Sequence, residues 1–188
     1  MKTSPARITD SLQVAAEYGR VPLSQLGLKG WLEIDLIDEN GKLKLHLVVP
    51  NLITQVGDQF YGDRAAAIGA ISAVTGMRLG TGTTAVAKTG AGAAIVTYVT
   101  ASNKAIDGTW PQSSLNGSSR RIQWKTTWIA GEATANDIAE VVITNENPLT
   151  NVAGTAANTI SRALITPTVN KAAGDTLAVT WNHDLLGA

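Results

Sequence analysis

The clearest alternation of apolar and polar positions lies between Trp31 and Val49. In Gly30-Trp31-Leu32-Glu33-Ile34-Asp35-Leu36-Ile37, Leu32, Ile34 and Leu36 share one face and Trp31, Glu33, Asp35 and Ile37 the other, because successive strand side chains point to opposite sides. The pattern returns from Lys42 to Val49, with Leu43, Leu45 and Leu47 set against Lys42, Lys44 and His46. Between the two runs, Asp38-Glu39-Asn40-Gly41 predicts a turn in which Asn-Gly supplies the positive φ angles of a tight hairpin. The pattern therefore predicts a β-hairpin with one buried and one wet face.

The period then changes. Pro50 ends the return strand and Asn51 is placed to cap a helix near 52–67, with Leu52, Val56, Gln59-Phe60 and Asp63 at helical spacings. Gly57 and Gly62 each weaken that helix by about 1 kcal/mol relative to alanine. From Gly76 onward, short β-branched runs alternate with Gly, Thr, Ser, Asn and Pro. They predict strands at 77–80, 94–100, 121–130, 138–144, 159–166 and 176–181, with Ile122, Trp124, Thr126 and Trp128 on one face. The fold class expected is mainly β, an antiparallel β-sandwich of jelly-roll or Ig-like type with one helix of three or four turns. Residues 1–28 read as an extended N-terminal arm, with a short helix from Asp10 or Ser11 through Tyr18 and extended chain around Val21-Pro22-Leu23. Residues 29–188 read as the sandwich domain.

Composition narrows what such a fold does. Fifteen Lys and Arg balance fifteen Asp and Glu, and the nearest basic cluster is Arg120-Arg121 with Lys125. Phosphate contacts dominate nucleic-acid affinity, so this charge balance argues against DNA or RNA as a partner. The absence of cysteine fits folding in a reducing cytoplasm. Met1 to Asp10 is polar and no apolar run approaches the length of a bilayer span, so a soluble chain without a membrane partner is expected.

Candidate chemistry is sparse. Gly80-Thr81-Gly82-Thr83-Thr84-Ala85 matches the dinucleotide fingerprint in form, but no helix-forming segment follows to hold a pyrophosphate. Lys88-Thr89 resembles the end of a phosphate loop, yet Gly82 leaves that loop one residue too long and Ala87 replaces its glycine. His46 and His183 read as surface or edge histidines, and His183 with Asp184 is a poor metal pair because neighbours on a strand diverge. Glu132, Asp137 and Glu140 are the carboxylates that a glycosidase reading would use. Asn116-Gly117-Ser118 reads as a turn. Trp124 and Trp128, with Trp31, Trp110 and Trp181, read as core or interface anchors ahead of a carbohydrate platform. No catalytic residue, metal site or cofactor is expected, and the chain is read as a non-enzyme.

Four segments together resemble a loosely defined group of tailed-bacteriophage virion proteins. They are the hairpin running into Val48-Val49-Pro50-Asn51-Leu52-Ile53; Met77-Arg78-Leu79-Gly80-Thr81-Gly82-Thr83-Thr84-Ala85; Trp128-Ile129-Ala130-Gly131-Glu132-Ala133-Thr134 followed by Ile138-Ala139-Glu140; and Ser161-Arg162-Ala163-Leu164-Ile165 through Thr168-Val169-Asn170-Lys171 to Gly174-Asp175-Thr176-Leu177 and Trp181. The sequence departs from that group at Pro50 and in a longer 145–158 segment, read as a contact loop. The resemblance implies a virion structural protein assembled in the host cytoplasm. In the first reading it is a capsid cement or decoration protein, a homotrimer bound to the major capsid protein or other virion proteins. The alternative is a tail or fibre component, either a connector or a host-surface-binding module. For the cement reading the arm makes the partner contact, with Arg7, Tyr18, Arg20 and Leu23 as anchors, since Arg, Tyr and apolar groups dominate interface energetics.

Overall fold

The computed structural model describes residues 27–69 and 71–186. In chain order these form β1 (Gly27–Ile37), β2 (Leu43–Pro50), β3 (Leu52–Ile53), α1 (Gln55–Ala66), β4 (Gly76–Gly80), β5 (Lys104–Ala105), β6 (Gln112–Asn116), β7 (Ser119–Trp128), β8 (Ala135–Thr144), β9 (Thr159–Lys171) and β10 (Thr176–Leu186). The strands build two five-stranded sheets, ordered β2-β1-β10-β7-β6 and β3-β9-β8-β4-β5, with every pairing antiparallel. One core joins them: Leu32, Ile34, Val179 and Trp181 of the first sheet meet Met77, Leu79, Val141 and Ile143 of the second. This is the antiparallel sandwich with one helix that the patterning predicts. The arm anchors Arg7, Tyr18, Arg20 and Leu23, and the short helix expected before them, lie outside the described residues. Gly27 and Leu28, read as the end of the arm, belong to β1.

In the β1–β2 hairpin, β1 follows its alternation, with Leu32, Ile34 and Leu36 buried and their neighbours half-buried, whereas in β2 Leu45 and Leu47 are half-buried and Leu43 is exposed. The hairpin's connection is wider than a two-residue turn. The Asp38 carboxylate accepts from the amides of Asn40 and Lys42, both at 2.9 Å, and only Gly41 of the Asn-Gly pair takes positive φ, at 80°. A register shift after Leu36 absorbs the extra residue.

Three expectations change. The helix cap is Thr54, whose hydroxyl accepts from the Gly57 amide at 3.0 Å. Asn51 instead turns the corner where the chain leaves the first sheet for the second as β3. The run 94–100 forms no strand beyond a single bridge between Gly80 and Tyr98; its amides are used otherwise, as described below. The strands β3, β5 and β6 were not predicted, because two of them are two residues long and β6 is polar and exposed along its length.

Gly57 also has a role opposite to the one its helix propensity suggests. A Cβ there would stand 2.2 Å from the Ile160 carbonyl oxygen, so the glycine sets how closely α1 approaches β9. At Gly62 a Cβ would meet nothing within 4 Å. Gly62→Ala is therefore expected to stabilise the protein by about 1 kcal/mol, whereas Gly57→Ala is expected to destabilise it by roughly 1–3 kcal/mol through overpacking. Urea unfolding of the two variants checks the contrast; equal effects would contradict it.

Candidate functional site

The glycine-rich loop after β4 binds an anion, and the anion is a side chain of the same chain. Glu140 on β8 and Arg162 on β9 project from the face of the second sheet that looks away from the core, and both are fully buried, at 0% exposure. Their ion pair runs from the Arg162 guanidinium to Glu140 Oε2, at 2.7 Å from Nη2 and 3.0 Å from Nε. The other carboxylate oxygen, Oε1, accepts from the amides of Gly82 (3.0 Å), Val96 (3.0 Å) and Thr97 (2.8 Å). Arg162 Nη1 donates to the carbonyls of Thr84 at 2.9 Å and Gly92 at 3.2 Å. A Cβ on Gly80 or Gly82 would lie 2.5 Å from Oε1. The fingerprint's glycines thus do what glycines do in a phosphate loop: they let backbone amides reach a negative charge. This accounts for the bent run 94–100, in which the Val96 and Thr97 amides serve Glu140 in place of a sheet ladder.

A second arginine repeats the device. Arg78 on β4 and Arg162 stand on either side of Val142 in the strand register. Arg78 is 1% exposed; it pairs with Glu146 and donates to the Thr150 carbonyl at 3.1 Å. The long 145–158 segment is thereby fastened over the sheet. Two loops roof this face, each pinned by a buried guanidinium.

The corner at Asn51 holds a third buried polar group. His183, expected at the surface or an edge, is fully buried, since β10 runs to Leu186 and not only to Trp181. Trp181 Nε1 donates to its Nε2 at 3.0 Å and Asn51 Nδ2 approaches the same atom at 2.9 Å. With two donors on Nε2, the ring proton sits on Nδ1 and is donated to the Tyr61 hydroxyl oxygen of α1 at 2.6 Å. Asn51 also donates to Ser161 Oγ of the second sheet at 2.8 Å. Burial lowers the His183 pKa to about 3, so the ring is neutral, and burial likewise raises the Tyr61 pKa.

The remaining candidates disperse. Asp184 faces away from His183 and receives two hydrogen bonds from Arg121, at 2.8 and 3.1 Å, which hold its pKa below the usual carboxylate range. Glu132 pairs with Lys104, and Asp137 sits on a bulge where Thr168 Oγ1 approaches at 3.3 Å. These two and the enclosed Glu140 do not share a set of partners. Trp124, Trp128 and Trp181 lie in the core, so they form no exposed aromatic platform; Trp31 and Trp110 are half-buried, and the Arg121 guanidinium lies 4.6 Å from the Trp31 ring. Asn116-Gly117-Ser118 is the tip of the β6–β7 hairpin, with Gly117 at positive φ. His46 is exposed beside Asp35 at 2.6 Å. Among the described residues, no group of three or more His, Asp or Glu side chains is arranged to hold a metal ion, and no helix is long and apolar enough to cross a membrane.

Buried Arg78, Arg162 and Lys171 escaped the sequence reading. For the two arginines the signal was present: each is a lone charge inside a strand, Arg78 between Met77 and Leu79 and Arg162 between Ser161 and Ala163, whereas Lys171 ends β9 beside Asn170. A scan against protein-family models, a search of curated proteins and a search of solved structures each gave no match.

Removing one partner of a buried pair leaves the other charged and dry, at a cost of about 3–5 kcal/mol. Glu140→Ala and Arg162→Ala should each lose that much in urea unfolding, and the double variant less than their sum; an E140A variant as stable as the parent would falsify the clasp. His183 gives a separate pH signature. The ring titrates near 6.5 when unfolded and near 3 when folded, so between those values the unfolded chain binds the extra proton. The stabilisation is complete above pH 6.5 and declines on acidification, by roughly 1–2 kcal/mol between pH 6.5 and 5. His183→Gln should abolish that slope.

Proposed function

We propose that this chain is a structural protein of a tailed-bacteriophage particle, a cement or decoration protein of the head that works by contact with the major capsid protein and with other copies of itself. It acts without catalysis and without a cofactor. The observation that carries the reading is where the resembling segments fall in the fold. Arg78 through Ala85, Glu140, and Ser161 through Ile165 supply the Glu140–Arg162 pair, the buried Arg78 and the first part of the loop that wraps the pair. In this fold those segments help to fasten long loops to a sheet, a scaffold property that suits a virion component, and they present no reactive group. The sandwich supplies a stiff body for a lattice junction, and the N-terminal segment supplies reach to a neighbour, with copies grouped as a trimer.

Immunogold labelling of intact particles tests this reading, with gold on heads as the expected result. Gold on tails would move the assignment to a tail or fibre component, and denatured particles lacking the chain would remove the virion reading altogether. Because the contacts are apolar and main-chain, moderate salt should leave the protein on the head. Replacing Arg7 and Tyr18 by alanine should weaken its retention on particles at least tenfold, about 1.4 kcal/mol.

A further inference from the structure

The two edges of the first sheet differ. β2 carries the devices that blunt an edge strand: a register shift beside Leu36, a lysine at Lys44 and a proline at Pro50. β6, on the opposite edge, has none of them. Its residues Gln112-Ser113-Ser114-Leu115-Asn116 are uncharged and all exposed. Its register with β7 is unbroken, from Gln112 with Gln123 to Asn116 with Ser119. Leu115, at 76% exposure, is the most exposed large apolar side chain among the described residues.

Backbone geometry decides which groups of β6 are free. Gly117 and Ser118 form a two-residue turn with Gly117 at φ 61°, and the residues flanking such a turn, Asn116 and Ser119, form a hydrogen-bonded pair. Bonded and non-bonded pairs alternate along an antiparallel ladder. Ser114 and Gln112 therefore also bond to β7, while the N–H and C=O groups of Ser113 and Leu115 turn to the open side. An antiparallel copy of the same strand is complementary to them. With Ser114 on a two-fold axis, the amides of Ser113 and Leu115 in each copy meet the carbonyls of Leu115 and Ser113 in the other. No like charges are opposed: the nearest arginines lie one strand back, where Arg120 donates to Ser113 Oγ and Arg121 pairs with Asp184. The same register sets Leu115 opposite Ser113 of the other copy. Ser113 neighbours Ile122, which with Pro111 and Trp124 lines an apolar groove of about 420 Å³, so the exposed leucine is carried towards apolar surface.

We infer that β6 is a self-association edge, at which two copies of this chain join their first sheets by antiparallel β6–β6 pairing. The contact goes beyond the virion reading and is tested without particles. Across the axis the two Ser114 residues form a non-bonded pair with Cα atoms about 4.5 Å apart, within reach of a disulfide. The chain has no cysteine, so Ser114→Cys introduces a single thiol. Under mild oxidation it should cross-link into dimers at least about tenfold faster than a control thiol at Glu39→Cys, in the exposed β1–β2 turn, because the pairing raises its effective concentration. Sedimentation equilibrium gives an independent measurement. Leu115→Lys places a charge in the contact without touching the core, and this variant should have half the parent's mass, whether or not the chain also groups in threes. Circular dichroism confirms that the variant is folded. Equal cross-linking rates at the two thiols, or equal masses for parent and Leu115→Lys, would overturn the inference.

Discussion

The ion pair between Glu140 and Arg162 is the constraint on which the second sheet depends. A sheet in a sandwich buries one face, and charges on the other normally stay in water. Here the outer face is covered, and a carboxylate and a guanidinium beneath the cover have lost their hydration. Each ion stripped of water costs several kcal/mol, which their mutual attraction offsets only when the remaining hydrogen-bonding positions are filled. The loop after β4 fills them from its backbone: amides of Gly82, Val96 and Thr97 to the carboxylate, carbonyls of Thr84 and Gly92 to the guanidinium. The loop therefore cannot lift without exposing two unsatisfied charges, and this gives an irregular segment the definition of a strand.

The same logic extends to the sandwich's open corner. Where the chain crosses from β2 to β3, Asn51 ties Ser161 of one sheet to His183 of the other, and α1 closes the gap with Phe60 and Tyr61. Gly30 makes room for this arrangement, since a Cβ there would fall 2.0 Å from Asn51 Oδ1. The two sheets are thus joined by a hydrophobic core in the middle and by buried hydrogen bonds at one margin. Polar contacts of this kind add less net stability than apolar burial, but they reject alternative registers, because a slipped strand leaves donors unpaired.

The sandwich was legible in the sequence because its longer strands carry local signals. Alternation marked β1 and β2, β-branched runs marked the positions of β7, β8, β9 and β10, and the short Met77–Leu79 run before the glycines marked β4. What escaped was non-local. Nothing in Ala94 to Thr100 tells that its amides turn to a glutamate on β8. The Gly-Thr-Gly-Thr-Thr run was rightly read as a loop, yet the ligand it grips lies 58 residues further along the chain in the closest contact. His183 seemed peripheral because β10 was expected to end two residues before it. Asn51 was assigned a cap because local rules describe the start of a helix better than a change of sheet. The expected partner-contact residues lie beyond Gly27, where the described structure begins.

The placing of β1 beside β10 bears on when the protein can form. These are the first and last strands of the described chain, and they pair along their whole lengths in the middle of one sheet, from Gly27 with Leu186 to Ile37 with Thr176. During synthesis β1 and β2 emerge early and have no inner neighbour until the final strand leaves the ribosome. Until then the inner edge of β1 waits unpaired, and the loop that must close is almost as long as the domain. Long-range pairing of this kind slows folding and prolongs exposure to aggregation. Any assembly that needs the first sheet complete can thus begin only after β10 has been made and has paired with β1.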